Sequence, residues 1–201
     1  MRRLAIAAFV IAACGATVGA PAQTLTASPS PSRTPAPLAS VTSGPAPSLA
    51  FPSMDCAAAQ ANQFDFWVGT WDVTWTATNG SEAKGTNTVT KQGCVVLEHF
   101  DGPLGGTAGY IGNSAAAWVP TLGKWQQNYV DTTGFAGTYV GGVEAGAFIL
   151  YRATLGGAIA NTGRLVWKDI SADKLTWTND RSTDNGATWQ VGIAITYTRR
   201  R

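Results

Sequence analysis

The chain has 201 residues, room for one domain with a core of useful size. Its net charge of +2 is accounted for by Arg2 and Arg3, and the only basic cluster, Arg199-Arg200-Arg201, reads as a solvated end, which disfavours nucleic acid as a partner. With the leader set aside, two cysteines and one histidine remain, too few for a convincing zinc site, so no metal is expected.

In chain order, residues 1–22 read as a secretory signal. Arg2 and Arg3 precede the apolar run Leu4–Ala13, and Ala20-Pro21-Ala22 offers a small-x-small cleavage site. The run is about ten residues, far below the ~20 that a spanning helix needs. A second reading stays open: Ile11-Ala12-Ala13-Cys14 resembles a bacterial lipoprotein box, in which Cys14 would carry a lipid and tether the protein. Residues 23–53 read as a Pro/Ser/Thr/Ala-rich disordered linker. Seven of the ten prolines lie between Pro29 and Pro52, and no apolar period runs through them. Such a segment cannot bury enough surface to offset its ordering entropy.

Residues 54–201 carry the folded part. They hold two cysteines, Cys56 and Cys94, and an even pair in an exported chain points to a disulfide. Met54–Gln63 has room for one short helical turn. From Phe64 onward the period is two. Trp67, Gly69, Trp71, Val73 and Trp75 share a face, as do Trp189, Val191, Ile193, Ile195 and Tyr197 at the other end.

Turn signals punctuate the chain between these runs, among them Asn79-Gly80, Asp101-Gly102-Pro103, Pro120–Gly123, Thr133-Gly134, Glu144–Gly146, Asn161-Thr162-Gly163, Ser171–Asp173 and Asp184–Gly186. The spacing predicts an all-β antiparallel up-and-down barrel of about 8–10 strands, because closure is the simplest way to hide the edges of many short strands.

Gly69-Thr70-Trp71 resembles the Gly-x-Trp signature of lipocalins and the wider calycin barrels. More closely, residues 56–200 resemble exported bacterial lipocalin-like domains carrying Phe-Asp-Phe-Trp-x-Gly-x-Trp. The matching residues are Cys56, Phe64–Trp71, Gly93-Cys94 with Glu98, Gly123-Lys124-Trp125, and Asn185–Trp189. The resemblance implies a barrel whose floor Trp71 closes, with a basic side chain from the last strand across its ring. Arg199 has the parity for that role, so Phe64, Phe66, Trp67, Gly69, Trp71 and Arg199 form a structural motif. It implies an exported location, periplasmic or secreted, and no reaction. The haem-binding nitrobindin-like branch follows its first Trp with Gly-x-Gly; here Asp72-Val73-Thr74 breaks that motif, and no cofactor is expected.

No catalytic constellation is legible. A Ser/His/Asp triad would need His99, and no Gly-x-Ser-x-Gly elbow presents a nucleophile. Glu98, Asp101 and Asp131 are the carboxylates that could meet at one barrel mouth. Asp65 and Asp72 read as turn caps or as hydrogen-bonded to backbone near the aromatic motif. The aromatic surplus carries the functional expectation instead. Trp125, Gln127, Tyr129, Tyr139, Arg152, Trp167 and Trp177 are the candidate lining of an apolar pocket with a few polar groups. The chain is thus read as a monomeric carrier or sensor for a small apolar or amphipathic molecule. The alternatives are an envelope module with a filled barrel, and an enzyme using the mouth carboxylates.

Overall fold

The computed structural model describes residues 54–154 and 156–201; the signal, Cys14 and the linker lie outside the described residues. Ten strands follow one another: β1 (Gly69–Thr76), β2 (Glu82–Gln92), β3 (Val95–Asp101), β4 (Ile111–Val119), β5 (Lys124–Asp131), β6 (Ala136–Glu144), β7 (Ala147–Ala153), β8 (Ile159–Lys168), β9 (Lys174–Arg181) and β10 (Gln190–Arg199). Each pairs antiparallel with the next, and β1 pairs with β10, closing the barrel. This is an all-β antiparallel up-and-down barrel of ten strands. The alternation explains the closure: Trp71, Val73 and Trp75 are buried, while Asp72 and Thr76 are exposed.

One end is plugged by the segment before β1. Short 3-10 turns over Ala59–Asn62 and Asp65–Trp67 carry Phe64 and Trp67 into the barrel. Phe64 is wholly buried, stacked on Phe148 at 4.1 Å and on Trp67 at 4.9 Å, with Trp125 and Trp167 edge-on. Trp67 therefore enters the core from a helical turn, although its parity read as strand. The backbone of the plug is also held. Lys91 donates from Nζ to Ala61 O (3.2 Å), Asn62 Oδ1 (2.6 Å) and Asp65 Oδ1 (2.6 Å). Trp71 Nε1 donates to Trp67 O at 2.8 Å. A disulfide joins Cys56 to Cys94, stapling the start of the plug to the β2–β3 turn.

Three expectations are corrected. Trp189 and Val191 do not share the inward face of Ile193, Ile195 and Tyr197. A bulge between Val191 and Ile193 inserts one extra residue, and one residue of slip sends every earlier side chain to the opposite face. Val191 is consequently 59% exposed, and Trp189 lies outside the barrel against Tyr151 and Arg164. Asn161-Thr162-Gly163 is not a turn but part of β8; the hydrogen bonds that close the β7–β8 connection lie earlier, from Thr154 N to Ala158 O and from Gly157 N to Thr154 O, and Gly163 pairs with Arg181 in the ladder. Asp65 and Asp72 do not cap turns: they pair with Lys91 and Arg200.

Candidate functional site

Opposite the plug the barrel is open, and its lumen holds a cavity of about 600 Å³. The cavity exists because the floor aromatics fill only one end and ten strands enclose more width than side chains can fill. Rings of Trp67, Phe100, Tyr139, Trp167, Trp177 and Tyr197 form much of its wall, with Leu165, Ile193 and Ile195 between them. Gln127, Tyr129, Tyr139, Arg152, Trp167 and Trp177 all line it. Trp125 does not. It is fully buried in the floor, packed on Phe64 and Phe148, and its Nε1 donates to Gln60 O at 3.1 Å.

Halfway down the strands sits a polar cluster. Glu98 on β3 accepts from Asn87 Nδ2 on β2 at 2.8 Å and from the Ser114 hydroxyl on β4 at 2.6 Å. Gln127 Nε2 on β5 donates to Ser114 Oγ at 2.8 Å, and Asn87 Nδ2 also donates to the Tyr197 hydroxyl at 3.0 Å. Glu98 borders the lumen and is half-buried. Burial pushes its carboxyl above the ordinary range, against the downward pull of the Ser114 and Asn87 hydrogen bonds. Burial likewise raises the Tyr197 hydroxyl, and the neighbouring Glu98 adds to the effect.

A second chain of hydrogen bonds runs to the mouth. The hydroxyls of Tyr110 and Tyr129 share a short hydrogen bond, and Tyr110 donates to Asp131 Oδ2 at 3.0 Å. Burial lifts Tyr110 to about 12 and raises Tyr129 as well. At Asp131 burial acts upward but loses to donors from Thr133, Tyr110 and the Phe135 N–H, which hold the carboxyl below its usual range. Gly112 on β4 makes the room, since a Cβ there would overlap the Tyr129 hydroxyl. Arg152 and Arg181 complete the open half, with the Arg152 guanidinium 5.3 Å from the Phe135 ring centroid.

The three carboxylates expected together are separated. Glu98 faces the lumen and Asp131 the mouth, but Asp101 is exposed on the outer wall. Three residues along a strand reverse the face, so Glu98 and Asp101 cannot converge. His99 is also outside, exposed and hydrogen-bonded through Nδ1 to Asn113 Oδ1 at 2.9 Å, so it cannot act as a base or an axial ligand in the lumen. Among the described residues no cluster of three or more metal-ligating side chains occurs. Asn87 and Ser114 are site residues that sequence reasoning missed. The available signal was parity: each is a polar residue on the inward face of its strand, in register with Val89 and Ala116.

No protein-family model and no curated protein matches the chain. Solved structures of similar fold include a de novo designed fluorescence-activating β-barrel, at 12% identity and TM-score 0.39, covering 69% of this chain and 98% of that one. EF1p2_mFAP2b bound to DFHBI is similar at 15% identity and TM-score 0.39, over 71% of this chain and all (100%) of that one. A redesigned β-barrel matches at 14% identity and TM-score 0.38, covering 72% and 100%.

Proposed function

We propose that the protein is an exported, lipocalin-like carrier or sensor that takes a small apolar or amphipathic molecule into its lumen. The observation that carries this reading is the cavity of about 600 Å³, open at one end, aromatic in its wall and supplied with a few convergent polar groups. That size and composition are those of small-molecule sites in general, which run from roughly 300 to 1,000 Å³. The unfilled lumen speaks against a merely structural barrel.

The Cys56–Cys94 disulfide is consistent with an oxidising location. Among the described residues no helix is long and apolar enough to cross a membrane. Closure leaves no free sheet edge for a second copy to pair with, in keeping with a monomer. A lipid at Cys14 would be the membrane link, read by palmitate labelling of wild type against Cys14→Ser; equal labelling removes it.

The test of the carrier is native mass spectrometry after incubation with an envelope lipid extract, paired with tryptophan fluorescence. Trp67, Trp167 and Trp177 border the cavity, so occupancy should produce both an adduct and a change in emission. Neither signal across the extract overturns the reading.

A further inference from the structure

The lumen holds a carboxylate without a cation. None of the five ion pairs among the described residues involves Glu98. Its two hydrogen-bond donors, Asn87 and Ser114, are neutral and supply one bond to each oxygen. An ionised carboxylate has about four acceptor sites, so capacity is left over. The rest of the cluster is also short of donors. Gln127 is 1% exposed and borders the cavity, and its Oε1 accepts nothing; Asn87, wholly buried, has an equally unpartnered Oδ1.

An acceptor-rich, negatively charged centre ringed by aromatic faces calls for a complementary guest. A cation in the lumen brings several N–H donors to the spare acceptor positions of Glu98, balances its charge, and is attracted to the ring quadrupoles. Resting on the carrier reading, we infer that the lumenal ligand is an amphipathic amine whose ammonium meets Glu98 and whose apolar body lies among the lumenal rings. Trp167, Trp177 and Phe100 are placed to hold that body.

The site's pH response follows from what faces Glu98. Tyr197 on β10, Tyr129 on β5 and Tyr110 before β4 are neutral across the working range. The lumenal charges are Asp131, Arg152 and Arg181, all toward the mouth, while His99 lies on the outer wall. The walls from β1, β2 and β4 add no charge: they present Trp71, Asn87 and Ser114 at this level. Amine affinity therefore follows ionisation of Glu98 and falls on acidification. At the acid end, amine binding must displace a proton from the Glu98 carboxyl to the buffer.

Three probes with one ring body test this on the full chain by calorimetry: 1-naphthylmethylamine, 1-naphthylmethanol and 1-naphthoic acid. The amine should bind at least tenfold tighter than the alcohol, the scale of a charge-assisted hydrogen bond. Glu98→Gln should abolish that preference and leave the alcohol's affinity within about threefold. Alcohol equal to amine, or the acid tightest through the mouth arginines, overturns the inference and leaves the carrier standing. If none of the three binds, this inference falls, and the lipid-extract experiment alone decides the carrier reading. Calorimetry of wild type in two buffers of different ionisation enthalpy, scanned from about pH 4 to 8, needs no variant. Proton release with the amine, but not the alcohol, is expected at the acid end; its absence throughout, with no loss of amine affinity on acidification, overturns the inference.

Discussion

The Arg199 guanidinium lies across the indole of Trp71, 4.0 Å from the ring centroid, and joins the last strand to the first. It donates to three carbonyls as well: Val68 O at 2.8 Å, Phe66 O at 3.2 Å and Ala172 O at 2.6 Å. One side chain thus binds the plug, the start of β1 and the β8–β9 turn. Gly69 allows the crossing, because its φ of +145° and the space a Cβ would take from Arg199 Nη1 both demand glycine.

Trp71→Ala should destabilise by about 3–5 kcal/mol, the cost of emptying a fully buried aromatic site. Gly69→Ala should also destabilise, by displacing Arg199 from the ring. Urea unfolding followed by circular dichroism reads both. Full stability in Trp71→Ala would contradict the floor assignment.

Reducing the Cys56–Cys94 disulfide frees a segment with a sequence separation of 38. On the chain-entropy estimate the loss is roughly 4 kcal/mol for a loop of this length. The urea midpoint should fall on adding dithiothreitol, and a Cys56→Ser/Cys94→Ser double variant should not respond to it.

Glu98 makes stability depend on pH with a definite sign. Its folded carboxyl titrates above the ordinary value of 4.5, so the folded state holds the proton more tightly than the unfolded chain. The associated stability is fully present below that ordinary value and is lost as pH rises through the folded one. Glu98→Gln has no charge to bury, so its stability relative to wild type should increase from acid to neutral pH. A pH-independent difference in urea unfolding would show that Glu98 is not the group responsible.

On the outer wall, Arg164 bonds from Nε to Asp180 Oδ2 at 2.9 Å and lies 4.4 Å from the Trp189 ring centroid. The pair is asymmetric: the Asp180 side chain is 5% exposed and that of Arg164 is 23% exposed. Arg164→Ala strands a buried carboxylate, whereas Asp180→Ala leaves an arginine able to reach water. Arg164→Ala should therefore cost more, about 3 kcal/mol against about 1 kcal/mol. Chemical denaturation of the two variants in parallel tests the order, and the reverse order would refute it.

The strand period, the turn residues and the aromatic motif were enough to read a barrel of about ten strands. The roles of Trp71 and Arg199 were legible through the resemblance, with side-chain parity in support, and the cysteine pair through a count of thiols. Parity even separates Glu98 from Asp101, a consequence open to reading from spacing alone.

What the sequence could not disclose depends on distant chain segments. The bulge at Val191/Ile193 reverses Trp189, and only pairing with β9 reveals it. Turn-like Asn161-Thr162-Gly163 is strand because Gly163 pairs with Arg181 of β9 and Thr162 O accepts from Ser182 N just beyond it. Trp125 belongs to the floor because a plug from residues 59–67 fills the space above it. Local pattern determined which residues could face inward. The tertiary structure decided which of them fill the floor, which border the cavity, and that Glu98 stands there without a cation, because packing and charge pairing are set by neighbours remote in sequence.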